Sequence, residues 1–340
     1  MLAYPLTKHG NTSVLKIKEV EEPVPGPGEV LVKISHIGIN YAEILSRRGQ
    51  YSWAPKLPYI PGMEAYGTIQ AVGSGVDRLV GEKVVVGAQY GTYAEKIVVS
   101  AYLAFPQMPD FNDAEQAAFL VNYMTAWVAL VKQARLTPSD TVLITAAAGG
   151  VGTAAVQIAH HYGCRVLGTA SKDYKIKLLN DLKIDVAINY QSSEWDKQVA
   201  QGEATDGIDV VLELVGGDTF DKAKGLLNPF GRIVIAGVAS IKWSKKNPLT
   251  WLSAWQKIPR FKIQDMAVGS NGLLATHIGY LIKSQELTNL LWKELSGYAI
   301  AHNIKPVVSH VYEFDQLPQA HEYIESRKSF GKVVVKVSDN

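Results

Sequence analysis

The stretch from Thr141 to Gly152 constrains this chain more than any other. An apolar, β-rich run ends in Ala146, Ala147 and Ala148, glycines follow at 149, 150 and 152, and a helical pattern over Ala154–His161 begins at once. Backbone without side chains can turn sharply there and bring bare N–H groups, at the N-terminus of a helix, up to a pyrophosphate. The strict dinucleotide spacing asks for a further glycine where this chain has Ala147. The strand–turn–helix context makes up for that substitution. The alternative is a tight strand-to-helix turn with no ligand.

Downstream of the turn the same alternation repeats. Thr141–Thr145, Arg165–Thr169, Asp185–Asn189, Ile208–Leu214 and Arg232–Ala236 read as short buried strands. Ala154–His161, Tyr174–Leu182, Trp195–Gln201 and Phe220–Leu226 carry helical periodicity between them. Such alternation builds βαβ units and a doubly wound parallel sheet. The first third differs: Val30, Val32 and Ile34 share one face of a two-residue period, Lys83–Val86 and Tyr93–Val99 read as further strands, and Gly73, Gly75, Gly81, Gly87 and Gly91 punctuate them. That pattern predicts a small antiparallel barrel or twisted sheet. Gln285–Leu295 and Phe314–Glu325 then read as helices and Lys332–Val337 as a strand. At 340 residues, two domains are the expectation.

Cofactor choice is read at the end of the strand after the glycine turn. A site selecting NAD usually puts an acidic residue there to bind the ribose 2′-hydroxyl. This chain has Ser171, Lys172, Asp173, Tyr174 and Lys175. Ser171 can donate to a 2′-phosphate and Lys175 can neutralise it, so NADPH is favoured over NADH; the alternative is a solvated pair of helix-face lysines.

Four motifs in order, Gly38-Ile-Asn-Tyr-Ala-Glu-Ile-Leu-Ser-Arg-Arg-Gly-Gln-Tyr51, Pro61-Gly-Met-Glu64, Gly73-Ser-Gly-Val76 and Ala146-Ala-Ala-Gly-Gly-Val-Gly152, resemble the zinc-independent branch of the medium-chain dehydrogenase/reductases. Within it the chain is similar to the NADPH:quinone oxidoreductases and, more closely, to the vesicle amine transport protein-like subgroup. The resemblance runs from about Val30 to Val335. It implies an α/β fold, with a GroES-like β-rich catalytic domain and a Rossmann doubly wound parallel-sheet cofactor domain. The expected bounds are 1–122 for the first part of the catalytic domain, 123–301 for the cofactor domain and 302–340 for the return. Zinc-dependent members carry a cysteine ligand where this chain has Asn40 and a histidine ligand where it has Met63. A carboxamide and a thioether are poor substitutes, so no zinc and no zinc-assisted alcohol oxidation are expected.

Hydride transfer from a reduced nicotinamide then needs an acceptor that is already electrophilic, a quinone or an enone, whose reduced oxyanion a few hydrogen-bond donors can stabilise. Candidate donors are Asn40, Tyr41, Tyr51 and Tyr123. The resemblance singles out Asn40 and Tyr51, because related enoyl-thioester reductases carry a catalytic tyrosine near the position of Tyr51; the alternatives are a satisfied turn amide and a loop tyrosine capping the barrel. By the same resemblance Ala148, Gly149, Gly150, Val151 and Gly152 cradle the pyrophosphate. Thr125 lies near the nicotinamide in a segment, Tyr123–Trp127, that opens a helix. Tyr190 lies on the adenosine side, Gly237 below the nicotinamide, and Lys332 completes the cofactor contacts.

Composition narrows the rest. A single cysteine, Cys164, excludes an intrachain disulfide and a Cys-rich zinc site. Met1–Gly10 has no signal-peptide pattern, so a cytoplasmic setting is the expectation. The near-balance of 34 basic and 32 acidic residues argues against nucleic acid as the main partner. The charge is nevertheless segregated. Residues 242–263 hold Lys242, Lys245, Lys246, Lys257, Arg260 and Lys262, no acid, and Trp243, Trp251 and Trp255. Cover for an apolar substrate pocket, peripheral contact with an anionic membrane, nucleic-acid stacking and a packed helix with solvated lysines all fit such a segment. The family also implies a homodimer.

Overall fold

The computed structural model describes residues 1–192, 194–203, 206–237 and 262–337. In chain order these form strands β1 (Leu2–Ala3), β2 (Lys18–Glu19), β3 (Glu29–Ile39), helix α1 (Tyr41–Arg47), β4 (Glu64–Val72), β5 (Lys83–Gly87), β6 (Lys96–Ser100), β7 (Ala104–Pro106) and α2 (Asp113–Trp127). Next come β8 (Thr141–Ile144), α3 (Gly150–His161), β9 (Arg165–Ala170), α4 (Asp173–Asp181), β10 (Val186–Asn189), α5 (Trp195–Gln198), β11 (Ile208–Glu213), α6 (Asp218–Lys224), β12 (Leu227–Ile235), α7 (Ile263–Gly269) and β13 (Gly272–Ala275). The chain ends with α8 (Ile278–Leu281), α9 (Gln285–Ala301), β14 (Val308–Glu313), α10 (Leu317–Glu325) and β15 (Lys332–Lys336).

The chain divides into two units, one of Met1–Met124 with everything from Ile278 onward, the other of Thr125–His277. The first is β-rich and GroES-like. Its sheet runs β14-β15-β3-β4-β5-β7, with β6 paired to β3. Val30, Val32 and Ile34 do share a buried face of β3, packed with Val84, Val86, Val333 and Val335. Each such aliphatic side chain contributes about 1.5–3 kcal/mol when fully buried. The strand expected over Tyr93–Val99 begins only at Lys96, while β4 and β14 were not expected. β4 escapes a periodicity search because Glu64–Gly67 and Ile69 are all buried, which removes the alternation.

The second unit is the expected Rossmann sheet. Among the described residues its order is β10-β9-β8-β11-β12-β13, every pairing parallel. The order reverses between β8 and β11, and the carboxyl ends of those strands form the edge where ligands bind in such sheets. Val142, Leu143, Ile144 and Val210–Leu212 are all buried, as helices on both faces of a parallel sheet require.

Two expectations change. The second boundary falls after His277 rather than after residue 301, because α9 belongs with the first unit: Trp292 stacks on Phe105 at 4.6 Å and meets the edge of Phe119 at 5.8 Å. Tyr123–Trp127 closes a helix instead of opening one. The start of α2 is set upstream, where Asn112 Oδ1 accepts from the Glu115 N–H (3.0 Å) and Glu115 Oε2 from the Asn112 N–H (2.8 Å), a reciprocal cap. The basic tryptophan-rich segment 242–263 lies outside the described residues except for Lys262 and Ile263. Among the described residues no helix is long and apolar enough to cross a membrane.

Candidate active site

In the Rossmann unit the glycine turn is held by its neighbours. Ala146 takes a left-handed conformation (φ 49°), at a cost of order 1 kcal/mol. Its N–H donates to Thr169 Oγ1 (3.1 Å) and the Ala147 N–H to the Thr169 carbonyl (2.9 Å), which hold the turn against β9. The left-handed residue is thus 146, so position 147 tolerates a methyl group. Position 152 does not: a Cβ there would lie 2.5 Å from the carbonyl oxygens of Ala146 and Ala147. Gly149 is the N-cap of α3, and the first turn of that helix carries no acidic side chain. The N–H groups of Gly150, Val151 and Gly152 therefore begin a helix whose positive end faces no carboxylate of its own.

The other sequence candidates of this unit line the same edge. Ser171 follows β9, Lys175 sits in the first turn of α4, Tyr190 follows β10 and Gly237 lies just past β12. The Tyr190 N–H donates to the Ala170 carbonyl (3.1 Å) and its ring packs on the apolar cluster around Leu167 and Ile188. Thr125 is buried in the last turn of α2. Sequence reasoning missed Glu213, which ends β11 with no exposed surface. Its Oε1 accepts from the Val215 (2.6 Å) and Gly216 (2.7 Å) N–H groups, and burial pushes its pKa up. The signal was there: an acid ending an apolar strand just before Gly216-Gly217.

In the GroES-like unit the structure gathers Asn40 and Lys332 with two glutamates that sequence reasoning did not single out. Asn40 is the N-cap of α1 and forms a capping box with Glu43. Glu43, three residues on, accepts from the Asn40 backbone N–H and, through Oε1, from the Met63 N–H (3.0 Å). The Asn40 carboxamide nitrogen donates to Glu64 Oε1 (2.9 Å) and more weakly to Glu43 Oε1 (3.3 Å). Its oxygen accepts from Lys332 Nζ (2.6 Å), and the same ammonium is paired with Glu64 Oε1. Glu64 Oε2 takes the Val121 N–H (2.9 Å). Burial, partly offset by Lys332, raises the Glu43 carboxyl to about 7.

Three of the expected residues have partners of their own in this unit. The hydrogens of the Asn40 carboxamide go to two carboxylates. Lys332 is only 3% exposed and its ammonium is paired with Glu64. Tyr123 is 1% exposed, stacks on Phe119 (4.7 Å) and donates its hydroxyl proton to the Lys305 carbonyl (2.9 Å). Tyr41, half-buried, begins α1. Tyr51 is half-buried beside Trp53, the rings edge-to-face at 6.4 Å; burial, with smaller effects from Glu43 and Tyr280, raises its pKa. Among the described residues no group of three or more His, Cys, Asp or Glu could hold a metal ion.

Residues 26–110 match the alcohol dehydrogenase GroES-like domain family and residues 150–271 the zinc-binding dehydrogenase family. The human synaptic vesicle membrane protein VAT-1 homolog is 32% identical over 338 residues, which cover 97% of this chain and 85% of that protein. A mycobacterial protein solved in complex with NADPH superposes with a TM-score of 0.87 at 30% identity, over 99% of this chain and 100% of that one. The Escherichia coli quinone oxidoreductase, also complexed with NADPH, gives 0.87 at 25% identity over the same shares. With relatives this similar along nearly its whole length, and with the two-unit architecture in place, the chain belongs to the medium-chain dehydrogenase/reductase superfamily, in its quinone oxidoreductase and VAT-1-like subgroup.

Proposed function

We propose that this protein is an NADPH-dependent oxidoreductase that transfers hydride to quinones or other activated alkenes without a metal. The observation that carries the reading is the α3 turn, where position 152 has no room for a side chain and the helix start carries no acid. Ser171 and Lys175, at the end of the next strand, suit a 2′-phosphate, and two related structures are NADPH complexes.

When bound, reduced nicotinamide supplies a hydride, two electrons with one proton, to the acceptor. The chain's own residues bind, orient and donate hydrogen bonds. The first-turn N–H groups of α3 hold the pyrophosphate, and Ser171 and Lys175 the 2′-phosphate. Tyr51, whose raised pKa keeps its phenol protonated, donates a hydrogen bond to the oxyanion left on the reduced acceptor; water supplies the proton that completes a hydroquinone. A catalytic zinc does not fit the residues here. Asn40 and Met63 offer a carboxamide and a thioether, and Glu64 is already paired with the ammonium of Lys332.

NADPH oxidation followed in parallel with phenanthrenequinone, an α,β-unsaturated ketone and crotonyl thioester tests the reading. Turnover is expected on the quinone, then on the ketone. A thioester turned over fastest would make the chain an enoyl-thioester reductase. Tight NADPH binding with no turnover would point to a nucleotide-binding adaptor or membrane-associated protein, in line with the name of the human relative. The reading also includes a homodimer in the cytoplasm, and sedimentation velocity checks the dimer.

A further inference from the structure

Three aromatic rings of the GroES-like unit have no part in the cluster around Lys332. Tyr51 and Trp53 follow α1, and Tyr280 comes from α8, near the other end of the chain. The rings of Trp53 and Tyr280 lie 6.2 Å apart at 59°. Trp53 is 8% exposed and Tyr280 is 54% exposed, so a buried indole backs an open phenol ring. The turn that carries Trp53 is pinned by Gln89, whose amide donates to the Trp53 carbonyl (2.7 Å). Lys283 stands 5.8 Å from the centre of the Tyr280 ring and steadies it from one side.

Gly279 is what lets the two rings meet. A Cβ at this position would lie 2.6–2.7 Å from three carbons of the Trp53 six-membered ring, and the indole is itself too enclosed to step aside freely. Glycine here therefore does not serve a turn; it gives up its side-chain volume to the indole. The resulting surface is aromatic and electron-rich, and it adjoins Tyr51, whose ring meets that of Trp53 edge-to-face. A quinone is flat and electron-poor. Offset or tilted stacking on such rings rewards each further fused ring of the ligand, by up to about tenfold in affinity per aromatic contact.

We propose that Trp53 and Tyr280, seated by Gly279, form a specificity wall that selects fused-ring aromatic quinones over single-ring quinones and open-chain enones. The inference rests on the reductase reading above and narrows its substrate class. Tyr280 contributes the exposed stacking face, Trp53 holds that face in place, and Gly279 sets the spacing.

The test compares kcat/KM for 9,10-phenanthrenequinone with that for 1,4-benzoquinone, as a ratio that does not depend on the fraction of enzyme folded. The wild-type ratio should favour the fused-ring quinone. It should fall about tenfold in Tyr280→Ala and in Gly279→Ala, and be largely kept in Tyr280→Phe, which retains the ring. A ratio that stays within twofold of wild type in both alanine variants overturns the wall. If the wild-type protein oxidises no NADPH with any quinone, the reductase reading falls, and tryptophan fluorescence then decides the wall separately. Saturable quenching by phenanthrenequinone that is lost in Trp53→Leu would keep it as a binding surface. Quenching that does not saturate, or that is unchanged in the variant, would remove it.

Discussion

Lys332 and Asn40, 292 positions apart, are joined by a 2.6 Å hydrogen bond from the lysine ammonium to the carboxamide oxygen. The same ammonium pairs with Glu64, so one positive charge ties the start of β15 to the N-cap of α1 and the start of β4. Such a bridge adds little over a well-packed apolar core, but removing one partner strands a buried charge.

Lys332→Met should therefore cost about 3–5 kcal/mol of stability, because it removes the ion-pair partner of Glu64, which has no exposed surface. Adding Glu64→Gln should return at least half of the loss. Urea unfolding of the single and double variants measures both; a single variant as stable as wild type would show that the pair carries no net structural weight.

Glu43 and His321 should pull the pH dependence of stability in opposite directions. The folded Glu43 pKa is raised from 4.5 to about 7, so the folded state holds this proton more tightly. Its contribution is full below pH 4.5 and is lost as pH rises to 7, on the order of 3 kcal/mol across that window. His321 is fully buried with Nε2 2.9 Å from the Tyr93 hydroxyl oxygen, and burial together with Arg47 lowers its pKa from 6.5 to about 3. Its contribution is present above pH 6.5 and is lost as pH falls towards 3. Subtracting the stability curve of Glu43→Gln from that of wild type isolates the first slope, and His321→Gln the second. A Glu43→Gln curve parallel to wild type between pH 4.5 and 7 would contradict the assignment.

Gly152→Ala should weaken NADPH binding at least tenfold and destabilise the Rossmann unit by about 1–3 kcal/mol, since the methyl group collides with two backbone carbonyls. Gly149→Ala should be milder, because there the nearest contact is 3.3 Å and φ is an ordinary −78°. Calorimetric titration with NADPH ranks the two, and equal effects would mean that close packing at 152 is not what shapes the turn.

Ser171→Ala and Lys175→Ala should each raise the Kd for NADPH by about tenfold and leave that for NADH within a factor of two or three, because only the former carries the 2′-phosphate. A hundredfold preference of the wild-type enzyme for NADH in steady-state kinetics would refute the 2′-phosphate assignment.

The Rossmann unit was legible because its signals are local. Strand, turn and helix alternate within stretches that a period of 2 or 3.6 can report, and the glycine at 152 is fixed by carbonyls only five and six residues upstream. Ser171 follows from the same logic, as it lies just past β9, whereas Tyr190 and Gly237 were expected from the family resemblance alone. Glu43 was half-legible as the acid three residues after an Asn N-cap, but its burial was not.

The sequence by itself determined the fold class, the position of the glycine turn and the membership of the chain in its superfamily, because each is written in contiguous residues whose spacing is set by backbone geometry. Only the tertiary structure decided that Asn40 and Lys332 hydrogen-bond to buried glutamates, that Tyr123 spends its proton on a carbonyl, that α9 packs with the first unit and that Gly279 makes room for Trp53. Those facts join residues from distant parts of the chain, where burial and Coulomb energy set the outcome and no local pattern records it.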